Sequence, residues 1–272
     1  MKTKQEKLKA FIRSNKKARE RKAIIEGFKT ADEFRAYLEG NGKEKKKTTK
    51  RKATKKKGGS ISNDVVIHNV HILDRSGSMG SSKYGKLSVA IAGINEEITE
   101  LRKADDAVYY QTIVEFDNRI KTVHNKVPIK SLQNFSTTSG GMTALNQAIG
   151  ETLEKLISNH VVGEKTIVKV FTDGGENMSR GKYASAHVIK ELIRDAMRYD
   201  ITVAFVGTAR EVLYATNNLG VSASNTLTHD NTIDTIRASF QTTNVSTKSY
   251  VSKAKKGEAT LDGFYKEVGT LD

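Results

Sequence analysis

The stretch DVVIHNVHILDRSGSMG, residues 64–80, decides the architecture of this chain. Its first part, through Asp74, has the length and the Val/Ile content of a buried strand. Asp74 therefore stands where that strand surfaces. Ser76 and Ser78 follow at alternate positions, and Gly77 and Gly80 permit a sharp turn into the next element. One carboxylate and two hydroxyls on one turn place three oxygens around a common point, and oxygen is the donor that hard cations such as Mg²⁺ take. Hydroxyls are weak ligands, so the turn alone should bind loosely and needs oxygens from elsewhere. A plainer reading competes: an Asp followed by Ser at a strand end commonly caps the next helix.

Working outward, strands and helices alternate. A helix is expected over about 83–103, with Leu87, Ile91, Ile94, Ile98 and Leu101 on one face. Strands over 107–116 and 119–124 meet at an Asp117-Asn118 corner that reads as a tight hairpin. A helix over 143–157 carries Leu145, Ile149, Leu153 and Leu156, and a strand over 166–173 ends in Asp173. A helix near 182–198, a strand over 201–207, a helix near 209–218, a short strand around 225–228 and a helix near 231–240 complete the pattern. Such alternation predicts a three-layer, Rossmann-like α/β domain with a mostly parallel central sheet. Sheets of this kind bind ligands at the carboxyl ends of their strands, where chain direction reverses. Asp74 and Asp173 both sit at such ends. Glu96, Glu97 and Glu100 read as a solvated helix face, His68 and His71 as surface or core-edge residues, and Tyr109 and Tyr110 as sheet residues facing opposite sides.

Two further loops carry oxygen donors. Ser139-Gly140-Gly141-Met142-Thr143 ends at a helix start, and Thr172-Asp173-Gly174-Gly175-Glu176 follows a hydrophobic strand. The set Asp-x-Ser-x-Ser, Gly-Gly-x-Thr and Thr-Asp-Gly, in that order, resembles the metal-ion-dependent adhesion site (MIDAS) of von Willebrand factor A (vWA) domains. The resemblance covers about residues 64–242. It implies that Ser76, Ser78 and Thr143 touch a Mg²⁺ or Mn²⁺ ion, and that Asp74 and Asp173 act on it directly or through water. It also implies a protein partner whose Glu or Asp completes the coordination. The charge balance agrees: two carboxylates neutralise a +2 ion and hydroxyls add nothing, so the ion stays electrophilic toward an outside carboxylate. Arg75 could favour an acidic partner, and Glu176 is close enough to tune the rim.

Enzyme readings fit less well. Gly80 through Lys86 matches G-x-x-x-x-G-K, but Leu87 stands where a P-loop needs Ser or Thr, and Gly80 lies beyond the strand end. An aspartyl-phosphate site would want an acid at the place of Ser76. There is no Gly-x-Ser-x-Gly elbow. The sequence thus reads as a binding module rather than an enzyme.

The flanks differ from this domain. Of 272 residues, 46 are Lys or Arg and 31 Asp or Glu, a formal net charge of +15. Residues 1–60 hold 22 basic and 7 acidic residues, whereas residues 61–272 hold 24 of each. The basic charge therefore belongs to an N-terminal appendage. Residues 1–42 read as a partly helical extension with a Thr30–Glu33 capping box, and 43–60 as a Lys-rich disordered linker. Residues 61–245 form the vWA-like domain and 246–272 a tail that either packs back or stays loose. Ten Lys/Arg within residues 43–57 could neutralise phosphates of RNA or DNA, contact an acidic protein surface, or serve only as solvated charge. With no aromatic residue there, base stacking is not expected. Zero cysteines exclude disulfides, thiolate catalysis and cysteine-ligated metals. No apolar run is long enough for a bilayer, and the MKTKQEK start has no apolar stretch behind it, so a cytoplasmic protein is expected.

Overall fold

The computed structural model describes residues 65–80 and 85–266. The basic extension, its capping box, the Lys-rich linker and residues 81–84 and 267–272 lie outside the described residues.

Six strands form one sheet: β1 (Val66–Asp74), β2 (Val108–Phe116), β3 (Ile120–Pro128), β4 (Glu164–Phe171), β5 (Ile201–Gly207) and β6 (Thr226–Thr228). Their order across the sheet is β3-β2-β1-β4-β5-β6. All neighbours are parallel except β2 and β3, the hairpin pair joined at Asp117-Asn118. From β1 the chain moves outward to β2 and later returns to the other side of β1 as β4. That reversal opens a crevice between the carboxyl ends of β1 and β4. Register places Asp74 opposite Phe116 and Leu73 opposite Phe171, so the turns after β1 and β4 lie side by side.

The helices are α1 (Lys86–Lys103), α2 (Leu145–Ser158), α3 (Ala186–Met197), α4 (Ala209–Asn217) and α5 (Ile233–Lys256). They cover both faces of the sheet. On one face Leu87, Ile94 and Ile98 of α1 and Phe240 and Val251 of α5 pack on Ile67, Leu73, Ile113 and Ile167. On the other, Leu145, Ile149 and Leu153 of α2 and Ile189 and Ile193 of α3 pack on Val70, Ile72, Val168 and Phe205. Both faces of β1 are buried, as a central parallel strand requires. Gly93 lets α1 and α5 cross closely: a methyl there would stand 2.5 Å from the Phe240 ring.

Three expectations are corrected. The helix placed near 231–240 continues to Lys256, through the domain end expected at 245, and Tyr250, Val251, Phe264 and Tyr265 are all buried. Glu97 does not face solvent but is 1% exposed, and His68 and His71 are inside the sheet layers at 3% and 1%. The reason is pairing. Lys169 Nζ donates to Glu97 Oε2 at 2.7 Å, and His71 Nε2 stands 2.9 Å from the same carboxylate. Asn69 Nδ2 adds a bond to Glu97 at 3.1 Å, and Lys169 reaches Thr247 of α5 at 3.2 Å. A buried carboxylate survives because it is surrounded by donors.

Candidate metal centre

Backbone hydrogen bonds stitch the three oxygen-bearing loops together. Gly77 N donates to Gly141 O at 3.0 Å and Gly140 N to Arg75 O at 2.9 Å, joining the first loop to the second. Asn177 N donates to Thr143 O at 3.1 Å and Thr143 N to Asn177 Oδ1 at 3.0 Å, joining the second to the third. Gly141 has φ +80°, and a methyl there would lie 2.6 Å from Asn118 Oδ1, so the second loop can pass the hairpin only as glycine.

Within this frame the five residues singled out by sequence come together. Ser76 Oγ and Ser78 Oγ are 3.1 Å apart, and Ser78 Oγ donates to Asp173 Oδ1 at 2.6 Å. A methyl built on Gly174 would meet Thr143 Oγ1 at 3.4 Å, Ser78 Oγ at 3.5 Å and Asp74 Oδ2 at 3.9 Å. Oxygens of the first two loops therefore face one small volume that the absent Cβ of Gly174 leaves open on the third, and Asp173 Oδ1 joins them through Ser78. No set of three or more His, Asp or Glu side chains among the described residues could hold an ion alone. A cation here would have to rely on hydroxyls, and an all-oxygen donor set of this type fits Mg²⁺ or Mn²⁺.

The capping alternative is not what the loops do. Asp74 accepts from Ser76 N at 2.7 Å and from Thr172 Oγ1 at 2.6 Å, and caps no helix. The first turn of α2 is capped across space instead. Glu176 Oε2 accepts from Asn146 N at 2.7 Å and from Ser179 Oγ at 2.7 Å, and Ser179 Oγ accepts from Gln147 N at 2.9 Å. Glu176 thus organises the third loop rather than tuning a rim, and Thr143 is released from capping duty. Arg75 is likewise committed inward. It donates to Asp117 Oδ2 at 2.6 Å and to Thr138 O at 3.0 Å, which ties the first loop to the hairpin and compensates its charge.

Burial pushes the Asp74 carboxyl up to about 6; the bonds from Thr172 and Ser76 oppose this and the nearby Asp173 charge adds to it. A proton and a cation would thus compete for this carboxylate near neutral pH. Sequence reasoning missed three participants. Thr172 holds Asp74 and was visible in the Thr-Asp-Gly string. Asn177 joins two loops and has no signal of its own. Lys86, weighed only as a P-loop lysine, ion-pairs with Asp173 Oδ2 and donates to Asn231 Oδ1 at 3.2 Å.

Comparison with known proteins gives one family and many similar solved structures. The family model for the von Willebrand factor type A domain matches residues 70–245. No curated protein matches the sequence. Among solved structures, the PilB minor pilin of Streptococcus sanguinis is 12% identical with a TM-score of 0.52, over 70% of this chain and 63% of the pilin. The pilus adhesin SpaC of Lactobacillus rhamnosus GG is 13% identical with a TM-score of 0.55, over 68% of this chain and 31% of the adhesin. The ArnB paralog VWA2 of Sulfolobus acidocaldarius is 19% identical with a TM-score of 0.46, over 66% of this chain and 45% of its own length. The chain thus spans less than two thirds of each of these proteins, and the likeness to the two pilus proteins speaks for the fold alone. With the family model matching well over half of the sequence, on a sheet built in the order described above, this chain belongs to the von Willebrand factor type A domain family.

Proposed function

We propose that the loop cluster is a Mg²⁺ or Mn²⁺ site of the MIDAS type, and that this protein is a binding module which captures a carboxylate of a protein partner there. The observation that carries the reading is the volume at Gly174 of the third loop, faced by Ser78 and Asp74 oxygens of the first loop and the Thr143 hydroxyl of the second, with Asp173 bonded to Ser78. Ser76, Ser78 and Thr143 would hold the ion, with Asp74 and Asp173 supplying its counter-charge. Bound there, a divalent cation offers an electrophilic position to an outside carboxylate. The chain's own residues do the rest: the backbone bonds between loops fix the hydroxyls, and Thr172 and Ser76 orient Asp74. We keep a binding module over an enzyme, and a cytoplasmic setting suits a cysteine-free chain.

Isothermal titration with Mg²⁺ and with Mn²⁺ tests the site. The expected result is binding that is lost in Asp74→Ala/Asp173→Ala. Heat that survives the double substitution would place the ion elsewhere, and no heat from the unaltered chain would end the reading. The segregated charge supports an alternative reading, that of a nucleic-acid-associated factor. Residues 43–57, with ten Lys/Arg, would hold the phosphates of RNA or DNA while the vWA domain acts as scaffold.

A further inference from the structure

We infer that Lys86 is a built-in cation which competes with a divalent ion for Asp173, so that the site fills only as this ammonium is displaced. The inference rests on the metal reading above and concerns how that site is regulated.

Lys86 is the first residue of α1, behind Gly85 at the N-cap. A helix start is the wrong place for a cation. The exposed N–H groups carry partial positive charge there, and acids are the residues that stabilise it. The first turn of α1 contains no acid. Lys86 therefore gains nothing from its own helix. What holds it is the carboxylate of Asp173, on the loop after β4, together with Asn231 Oδ1 at 3.2 Å.

That ion pair lies inside the oxygen cluster. The Asp173 side chain is 1% exposed, and its two oxygens are divided between the cluster and the lysine. Oδ1 accepts from Ser78 Oγ at 2.6 Å, and Oδ2 takes the Lys86 ammonium. Asp74 and Asp173 together bring two negative charges, which balance a divalent ion. With Lys86 in place only one remains uncompensated, and an arriving ion meets an ammonium on a shared carboxylate. Like charges at such range in a partly desolvated site repel strongly. Displacement is feasible on geometric grounds. The Lys86 side chain is 21% exposed, four methylenes long, and anchored secondarily by an asparagine whose own residue is exposed. Without the ion, the same ammonium relieves the repulsion between the two acids.

A clamp that merely tied α1 to the third loop would behave differently, because removing it would loosen the cluster and weaken ion binding. Competition predicts the opposite sign. The test is titration of the full-length chain with MgCl₂ and with MnCl₂, in the unaltered protein, K86M, K86Q, K86R and K86M/D74A/D173A. Thermal melting in EDTA and in saturating Mg²⁺ is the second readout. For K86M and K86Q the Mg²⁺ Kd should fall at least tenfold, K86R should stay within about threefold of the unaltered chain, and the triple variant should give no heat. K86M should also melt lower in EDTA, yet show a larger Mg²⁺-induced rise. If K86M and K86Q bind as the unaltered chain does, or more weakly, the competition is refuted while the metal site stands. If neither the unaltered chain nor K86M binds either ion, both readings fall.

Discussion

At the residue scale, Asp74 carries the most consequential chemistry. Its carboxyl moves from an ordinary 3.8 to about 6, because burial disfavours the charged form more than Thr172 and Ser76 favour it. Between about pH 4 and pH 6 the folded protein keeps a proton that the unfolded chain has released. Raising the pH through that window therefore removes stability. Asn at this position has nothing to titrate. In EDTA, the stability of Asp74→Asn relative to the unaltered chain should rise by on the order of 2–3 kcal/mol between pH 4 and pH 7. Urea unfolding at several pH values measures it, and a difference independent of pH would show that Asp74 is not strained by burial. The positions of Asp74, Ser76, Ser78, Thr143 and Asp173 could be read from the sequence because each lies in a short string with fixed spacing. Lys86 and Asn231 could not. Their meeting with Asp173 depends on where α1 starts and how the chain leaves β6, neither of which leaves a local pattern.

At the element scale, the sheet is locked to its helices by polar contacts as well as by apolar packing. Glu97 of α1 meets Lys169 of β4, His71 and Asn69 of β1, and through Lys169 reaches Thr247 of α5. Burial works against the Glu97 carboxylate, but Lys169 and His71 outweigh it and hold it ionised well below the usual range. Burial and the Lys169 charge keep His71 from protonating. The neutral ring accepts from Gln111 Nε2 at 2.9 Å on Nδ1 and donates to Glu97 from Nε2. Removing one partner of such a pair strands the other without solvent. Glu97→Leu or Lys169→Met alone should each cost about 3–5 kcal/mol, and the double substitution clearly less than their sum. Urea unfolding of the four proteins gives the coupling energy, and simple additivity would show that the ion pair is energetically idle. The same network explains which parts of the fold escaped the sequence reading. Strand and helix order was legible because apolar periodicity marks each element. Glu97 was not, since an acid on a helix next to Glu96 looks solvated until Lys169 is placed across from it. The second half of α5 also escaped. Its inward face is Thr243, Asn244, Ser246 and Thr247 as much as Tyr250, Val251 and Ala254, so hydropathy does not show it. The Thr243 and Thr247 hydroxyls are buried at low cost because they donate to the carbonyls of Ser239 and Thr243, one turn back, at 2.7 and 3.0 Å.

At the scale of the whole molecule, charge is divided between two parts of the chain. Residues 61–272 balance 24 basic against 24 acidic residues, while residues 1–60 carry the entire net charge of +15. No helix among the described residues is long and apolar enough to cross a membrane. On the proposed reading, long-range attraction of an anionic partner would come from the appendage and selection of a carboxylate from the oxygen cluster. The two should be separable. If the arm engages six to ten phosphates, affinity of the full chain for single-stranded RNA or duplex DNA should fall by roughly 10³–10⁵ between 50 and 200 mM salt. A 61–272 fragment should lose that binding. EDTA and the Asp74→Ala/Asp173→Ala substitution should leave it unchanged, because Lys–phosphate pairing uses none of the loop oxygens. Sequence preference should be absent, since residues 43–57 contain no aromatic side chain to stack on bases. Fluorescence anisotropy with labelled oligonucleotides across a salt series decides the matter. Equal affinity for the full chain and the fragment would remove nucleic acid from the arm's role, and sensitivity to EDTA would mean that the arm and the oxygen cluster act as one site rather than two.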